Sequence, residues 1–182
     1  MLFRSGFPAL VVLGGDTSVG APRSVKHGWQ LRQMLRAGNN ALALGGWANP
    51  NADADRQVGF LSAPDFGAQF YLTQIVSHHT FEPVRRFIEM ARARGLTLPG
   101  IFGVFFYRSA NPRTLATLGA LLPVPSEALT REFAAGASAE EVCARTVRAL
   151  ADAGVRHFYV SNLPIARAKT TLAAIVDKAG VG

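Results

Sequence analysis

The amino-acid sequence predicts an α/β fold with five parallel strands in a single domain that spans residues 1–182. Short apolar runs, each followed by Gly or polar residues, alternate with longer amphipathic runs, an order typical of strand–helix–strand units. The short runs are apolar on both faces, as buried parallel strands are. Because 49% of the residues are hydrophobic and 17% are charged, the composition also excludes a disordered chain.

Each element follows from a local signal in the sequence. The predicted strands cover residues 9–13, 41–44, 69–74, 98–106 and 157–160. The predicted helices cover residues 24–36, a weak segment to about 66, 80–94, a segment that begins at 111–112, 123–133, 138–153 and 165–179. Thr80 is the predicted N-cap of the third helix, and Ser138 with Glu141 forms a predicted capping box. Gly95 and Gly154 end the helices before them.

Two architectures agree with this order of elements. One is a self-contained, doubly wound sheet of the flavodoxin type, and the other is part of a (β/α)8 barrel. In both, ligands bind beyond the carboxyl ends of the strands. The predicted strand ends are polar or rich in glycine, at Gly14-Gly15-Asp16, Gly45-Gly46-Trp47, Thr73-Gln74, residues 103–107 and Ser161-Asn162.

Charge and hydropathy exclude several classes of function. The net charge is +7, but the arginines are scattered, so we expect no nucleic-acid partner. A basic surface instead favours an anionic small ligand. No apolar run approaches the roughly 18 to 20 residues of a membrane span, so we expect no membrane partner. Cys143 is the sole cysteine, which excludes an internal disulfide and fits a cytoplasmic protein.

No metal site is predicted from the cysteine and histidine residues. None of them has the spacing of a zinc site. His78 and His79 are neighbours, and adjacent side chains diverge on a helix or a strand. We therefore expect these two imidazoles not to share an ion.

Five blocks of the sequence, in order and with matching spacing, resemble one enzyme family. They are LVVLGGD at 10–16, LALGGWANP at 42–50, FGAQFYLTQ at 66–74, PGI at 99–101 and GVRHFYVSN at 154–162. Together they resemble the methylenetetrahydrofolate reductase family over nearly the whole chain. The resemblance implies a (β/α)8 barrel of which this chain holds the last five strand–helix units. It also implies FAD as cofactor and reduction of 5,10-methylenetetrahydrofolate to 5-methyltetrahydrofolate by NAD(P)H.

The resemblance also implies roles for individual residues. Asp16 falls on the acidic residue that interacts with folate and tunes the flavin, so it is the expected catalytic residue. Gln74 falls on the amide that binds folate. The expected flavin contacts are Gly14, Gly15, Asp16, Gly28, Trp47 and Asn51. A flavin that receives and passes on a hydride needs a flat slot and hydrogen bonds at its ring edge, and these residue types can supply both.

The chain departs from the family at several positions. The family's catalytic acid, a Glu on the first strand, and the flavin-binding Thr and His of the next two strands have no counterpart here. Gly14 stands where the family has an Arg in the turn, and Ala63 stands near the position of a family Lys. Leu163 replaces an Arg that follows the family's last strand. His78 stands near a position where the family has Asp.

Three hypotheses follow. The first is a truncated or divergent folate reductase whose missing strands come from an upstream start, a separate N-terminal half or a second copy in a homo-oligomer. Met1 lies close to the first predicted strand, which favours a misplaced start or a split gene. The second is a non-catalytic folate- or flavin-binding module, or a regulatory partner, on the same fold. The third is a self-contained flavodoxin-like domain.

Overall fold

The computed structural model describes residues 7–14, 25, 27–38 and 41–181, in which five strands alternate with helices. The strands are β1 Ala9–Val11, β2 Ala43–Ala48, β3 Phe70–Val76, β4 Gly100–Phe105 and β5 Phe158–Ser161. The α-helices are α1 Gly28–Gly38, α2 Ala54–Leu61, α3 Glu82–Ala93, α4 Pro112–Gly119, α5 Ser126–Ala134, α6 Ala139–Asp152 and α7 Ala168–Ala179. Short 3-10 turns, His78–Thr80 and Ile165–Arg167, precede α3 and α7. None of the helices described here is long and apolar enough to cross a membrane.

The order of the strands decides between the two predicted architectures. The five strands form one sheet in the order β1-β2-β3-β4-β5, and every neighbouring pair is parallel. A flavodoxin-like sheet has the order 2-1-3-4-5, because its chain reverses direction at a switch point. Successive right-handed crossovers in one direction instead place all the helices on one face of the sheet. The chain is therefore an α/β half-barrel, and the flavodoxin-like hypothesis is wrong.

The two faces of the sheet differ in how well they are covered. On the helix-facing side, the rings of Tyr71, Phe87 and Phe102 pack edge to face with centroids 6.1–6.5 Å apart, and all three side chains are buried. On the concave side, Phe70 and Leu72 are only half-buried. The main core therefore lies between the sheet and its helices.

Strand β2 is longer than the sequence indicated. The prediction ended it at residue 44 and placed Gly45 and Gly46 beyond its carboxyl end, which is wrong, because β2 continues to Ala48. A Cβ atom at Gly45 would lie 2.5 Å from the ring of Phe70, and one at Gly46 would overlap the ring of Phe66. Both glycines are thus strand residues that leave room for aromatic rings.

The start of α3 also differs from the prediction. Thr80 is not its N-cap but ends the preceding 3-10 turn, which the side chain of Ser77 caps. Helix α3 begins at Glu82, with Phe81 at the N-cap position and no capping side chain. Pro83 in the first turn lacks an N–H group and reduces the need for a cap.

Apolar residues at helical spacing in the predicted helix 24–36, among them Leu31, Met34 and Leu35, indicate a buried face that the structure confirms only in part. Leu31 and Met34 are exposed, by 37% and 62%, whereas Arg32 is buried. Leu35 packs against a small cluster that includes Leu44. A charged residue such as Arg32 is expected on the exposed face of a helix. The pattern of apolar residues therefore could not predict that Arg32 is buried.

The capping box of α6 is confirmed. Ser138 Oγ accepts from Glu141 N, and a carboxylate oxygen of Glu141 accepts from Ser138 N at 2.7 Å. Hydrogen bonds from Ser138 and the ammonium group of Lys178 lower the pKa of Glu141 to about 2. The folded chain therefore favours the ionised form of this carboxylate.

We expect Gly46→Ala to lower the free energy of unfolding by roughly 1–3 kcal/mol, because the new methyl group overpacks the site against Phe66. The matched control is Gly119→Ala, since no atom in the part of the chain that the structure describes lies within 4 Å of a Cβ built there. We expect the control to be neutral or stabilising. Chemical denaturation measures both, and equal effects would contradict the packing role of Gly46.

We expect Glu141→Gln to flatten the acid limb of the stability curve. The pKa of Glu141 is depressed in the folded chain, so its contribution is present above pH 4.5 and is lost as the pH falls towards about 2. Denaturation midpoints between pH 6 and pH 2 test this, with Glu140→Gln as the control of equal charge. An unchanged acid limb in Glu141→Gln would contradict the prediction.

Candidate functional site

Strand β3 carries a β-bulge close to its carboxyl end. Leu72 pairs with Ile101, but Ile75 pairs with Gly103, so β3 holds one more residue than β4 over this interval. Bulges are enriched beside active sites, where they redirect a side chain. This one makes the carboxyl half of β3 the most irregular part of the sheet described here.

Hydrogen bonds from the adjacent strand β4 and from β5 beyond it fix the bulge. The buried hydroxyl of Thr73 accepts from Gly103 N at 3.0 Å and donates to Gln74 O at 2.8 Å. The hydroxyl of Tyr159, on β5, donates to Thr73 O at 2.8 Å. The Tyr159 side chain lies across Gly103, where a Cβ atom would be 2.6 Å from its hydroxyl oxygen. The sequence did not predict the hydrogen-bonding role of Thr73 and Tyr159. That role depends on how β3, β4 and β5 lie side by side, which no local pattern reveals.

Gln74 lies in the bulge and not at the strand end, since β3 continues to Val76. Its side-chain oxygen accepts from Ile75 N at 2.9 Å. This bond fixes the orientation of the amide and leaves its NH₂ group as the donor. Gln74 is half-buried, so the amide is held in place but is not sealed from solvent.

Trp47 supplies an aromatic surface on the concave face. It pairs with Leu72 in the register of β2 and β3, and 37% of it is exposed. Adjacent pairs place Gly45 beside Phe70 on the same face. An exposed indole of this kind can stack on a flat ligand.

Asn51 connects the loop after β2 to the end of β3. Its side-chain NH₂ donates to Ile75 O at 3.0 Å, and its backbone N donates to Asn49 Oδ1 at 3.1 Å. The loop is therefore held one residue away from Gln74. These contacts are structural, and the contact of Asn51 with a cofactor stays a prediction.

The loop after β1 and the start of α1 meet at two of the predicted site residues. A Cβ atom at Gly28 would lie 3.1 Å from Gly14 N and 3.2 Å from Val12 O, so only a very small residue fits there. The buried Arg32 donates to Val12 O at 3.1 Å and to Phe66 O at 2.7 Å. Burial lowers the pKa of Arg32, and the carboxylate of Asp65 opposes that effect. The predicted residues Gly15 and Asp16 lie outside the described residues.

A buried polar cluster lies beyond the carboxyl end of β3. The rings of His78 and His79 have centroids 3.9 Å apart, so the expectation that these imidazoles diverge is wrong. Their Nε2 atoms lie 3.4 Å and 2.8 Å from Glu132 Oε2, on α5. Only 8% of the Glu132 side chain is exposed, and its Oε1 binds Arg145 of α6. Glu132 carries no sequence signal for this role, because both of its histidine partners are more than 50 residues away in the sequence.

The surroundings of His78 favour its neutral form. His78 Nδ1 lies 2.8 Å from Thr146 Oγ1. Burial lowers the pKa of His78, and His79 lowers it further, while Glu132 acts in the opposite direction. A neutral imidazole with Nδ1–H directed at Thr146 presents a lone pair on Nε2.

We expect Thr73→Val to lower the free energy of unfolding by about 1–3 kcal/mol, because it leaves Gly103 N buried without an acceptor. Thr73→Ser keeps the hydroxyl and is the matched control. Chemical denaturation should show a smaller loss for the serine variant. Equal losses would indicate that volume, and not the hydroxyl, matters at this position.

No protein-family model matches the chain, and no curated protein matches it.

Proposed function

We propose that the chain forms the last five units of a (β/α)8 barrel and is a divergent methylenetetrahydrofolate reductase. Its reaction would be the flavin-dependent reduction of 5,10-methylenetetrahydrofolate to 5-methyltetrahydrofolate with NAD(P)H. The sequential, all-parallel sheet supports this proposal, because a barrel is built from such a sheet. The five sequence blocks described above are its second support.

The observation that carries the proposal is the fixed amide of Gln74. Its oxygen is held by Ile75 N, so its NH₂ group is oriented before any ligand arrives. The pterin ring of a folate offers carbonyl and ring-nitrogen acceptors to such a donor. Bulges near strand ends commonly serve to orient a side chain of this kind.

The concave face fits a flat cofactor at two points. Trp47 offers an exposed aromatic surface. Among the described residues, a Cβ atom at Gly14 would meet only Gly28 N, at 3.9 Å, so this backbone can be approached closely. We propose that these residues would hold FAD, and the family resemblance assigns Asp16 to the same cofactor. The cofactor would supply hydride transfer when bound.

The net charge of +7 agrees with anionic ligands such as a folate and a nucleotide. The half-barrel also leaves β1 and β5 with one unpaired edge each among the described strands. We propose that a separate N-terminal half or a second copy in a homo-oligomer pairs with these edges. That partner would also supply the acid that the family places on its first strand.

A second candidate is a non-catalytic folate- or flavin-binding module, or a regulatory partner. It is favoured by the composition of the sheet, since none of the five described strands carries an acidic or basic side chain. Histidine and carboxylate side chains are the common proton donors in enzymes. Binding through Gln74 and Trp47 needs no such group.

We expect Gln74→Glu to weaken folate binding at least tenfold without loss of stability. Glutamate keeps an oxygen for Ile75 N but loses the NH₂ donor, whereas Gln74→Ala loses both. Titration of methyltetrahydrofolate, together with denaturation of each variant, separates binding from folding.

FAD titration of the purified wild-type chain tests the cofactor. Bound FAD with NAD(P)H oxidation supports the enzyme, and bound folate without turnover supports the binding module. A folded chain that binds neither FAD nor folate would contradict both candidates.

A further inference from the structure

We propose that His78, His79 and Glu132 bind one divalent cation of the zinc class at the end of β3. Their nearest ligand atoms lie within 4.8 Å of one another, and they form the one group of this kind found among the described residues. Two imidazoles and one carboxylate are a donor set that zinc sites use when a fourth position stays open.

Two atoms of the cluster lack hydrogen-bond partners although they are buried. They are His79 Nε2 and Glu132 Oε2, which lie 2.8 Å apart. The distance suits a hydrogen bond, so it is the alignment of the ring with the oxygen that fails. A buried pair left in this way costs free energy unless another group satisfies it.

The positions of these atoms suit coordination of an ion better than they suit a hydrogen bond. An ion about 2.0–2.1 Å from a ring nitrogen and about 2.0–2.2 Å from a carboxylate oxygen lies off the line between the two atoms. Tetrahedral ligands at such distances are about 3.4 Å apart. His78 Nε2 is already 3.4 Å from Glu132 Oε2, and the corresponding distance of 2.8 Å for His79 needs only a small opening.

Groups around the cluster orient the three ligands. Arg145 binds Glu132 Oε1 and so leaves Oε2 for the ion. Thr146 Oγ1, 2.8 Å from His78 Nδ1, directs the other ring nitrogen to the cluster. Outer contacts of this kind are typical of metal sites.

The chain geometry explains how neighbouring histidines converge. Ser77 caps the 3-10 turn His78–Thr80, and the side-chain oxygen of Ser77 accepts from His79 N at 3.3 Å. The tight turn brings the rings of His78 and His79 to 3.9 Å, which a strand would not allow. A fourth ligand would be water or an anionic group.

The test is titration of the metal-free full chain with Co²⁺ and with Zn²⁺. We expect one Co²⁺ per chain with the intense visible absorption of a tetrahedral site, displacement of Co²⁺ by Zn²⁺, and a rise in the thermal midpoint with Zn²⁺. Glu132→Gln and His79→Asn should each weaken binding at least a hundredfold. Thr146→Val, which alters only an outer contact, should weaken it by about 10–100-fold.

His157→Gln is the matched control, because His157 is exposed and lies outside the cluster. It should bind as tightly as the wild type. Denaturation without metal shows whether each variant folds. A wild-type chain with neither the Co²⁺ spectrum nor a Zn²⁺-dependent midpoint would overturn the proposal, as would equal loss of binding in His157→Gln. The first result would show that the cluster binds no ion, and the second would place the ion outside the cluster.

Discussion

Aromatic rings that cross over glycines of the neighbouring strand are the constraint on which this sheet depends. Phe70 lies over Gly45 of β2, and Tyr71 lies over Gly100 of β4. Tyr159 of β5 lies across Gly103 in the same way. Any side chain at these glycines would collide with a ring, and a shift of one residue would move every ring to the other face. The aromatic rings and the glycines beneath them therefore fix the register of the strands. The register in turn fixes how the five strands pair in the half-barrel.

The candidate site is a consequence of that register. The ring of Tyr159 reaches over Gly103 because the glycine has no side chain, and its hydroxyl then holds Thr73 O. The hydroxyl of Thr73 takes the place of a backbone carbonyl as the acceptor for Gly103 N. Because this bond is kept, β3 can hold one more residue than β4. The orientation of Gln74 follows from this bulge. Packing between three strands thus determines the position of a polar group that has no packing role of its own.

The sequence predicted the order of the elements well, because alternation of apolar runs and helix caps such as Ser138 with Glu141 are local signals. The prediction from the sequence was wrong where contacts between distant residues determine the local structure. The pair Gly45-Gly46 was placed beyond the end of its strand, since the rings that need the space, Phe66 and Phe70, lie far along the sequence from both glycines. The buried Arg32 was missed for the same reason, as its carbonyl partners belong to other segments. The ligand contacts of Gln74 and Trp47 stay predictions that rest on their places near strand ends and on the family resemblance.

The position of α1 and β1 at one end of the sheet has a consequence for motion. Strand β1 has three residues and one neighbour, whereas β3 and β4 are central and pair on both sides. Local opening should therefore cost least at β1 and most at β3–β4, and amide hydrogen exchange should follow that gradient. Gly14 and Gly28 lie in the labile part, and Gln74 lies in the persistent part. A ligand that spans both would slow exchange mainly at the β1 end, because ordering that end is part of its binding free energy.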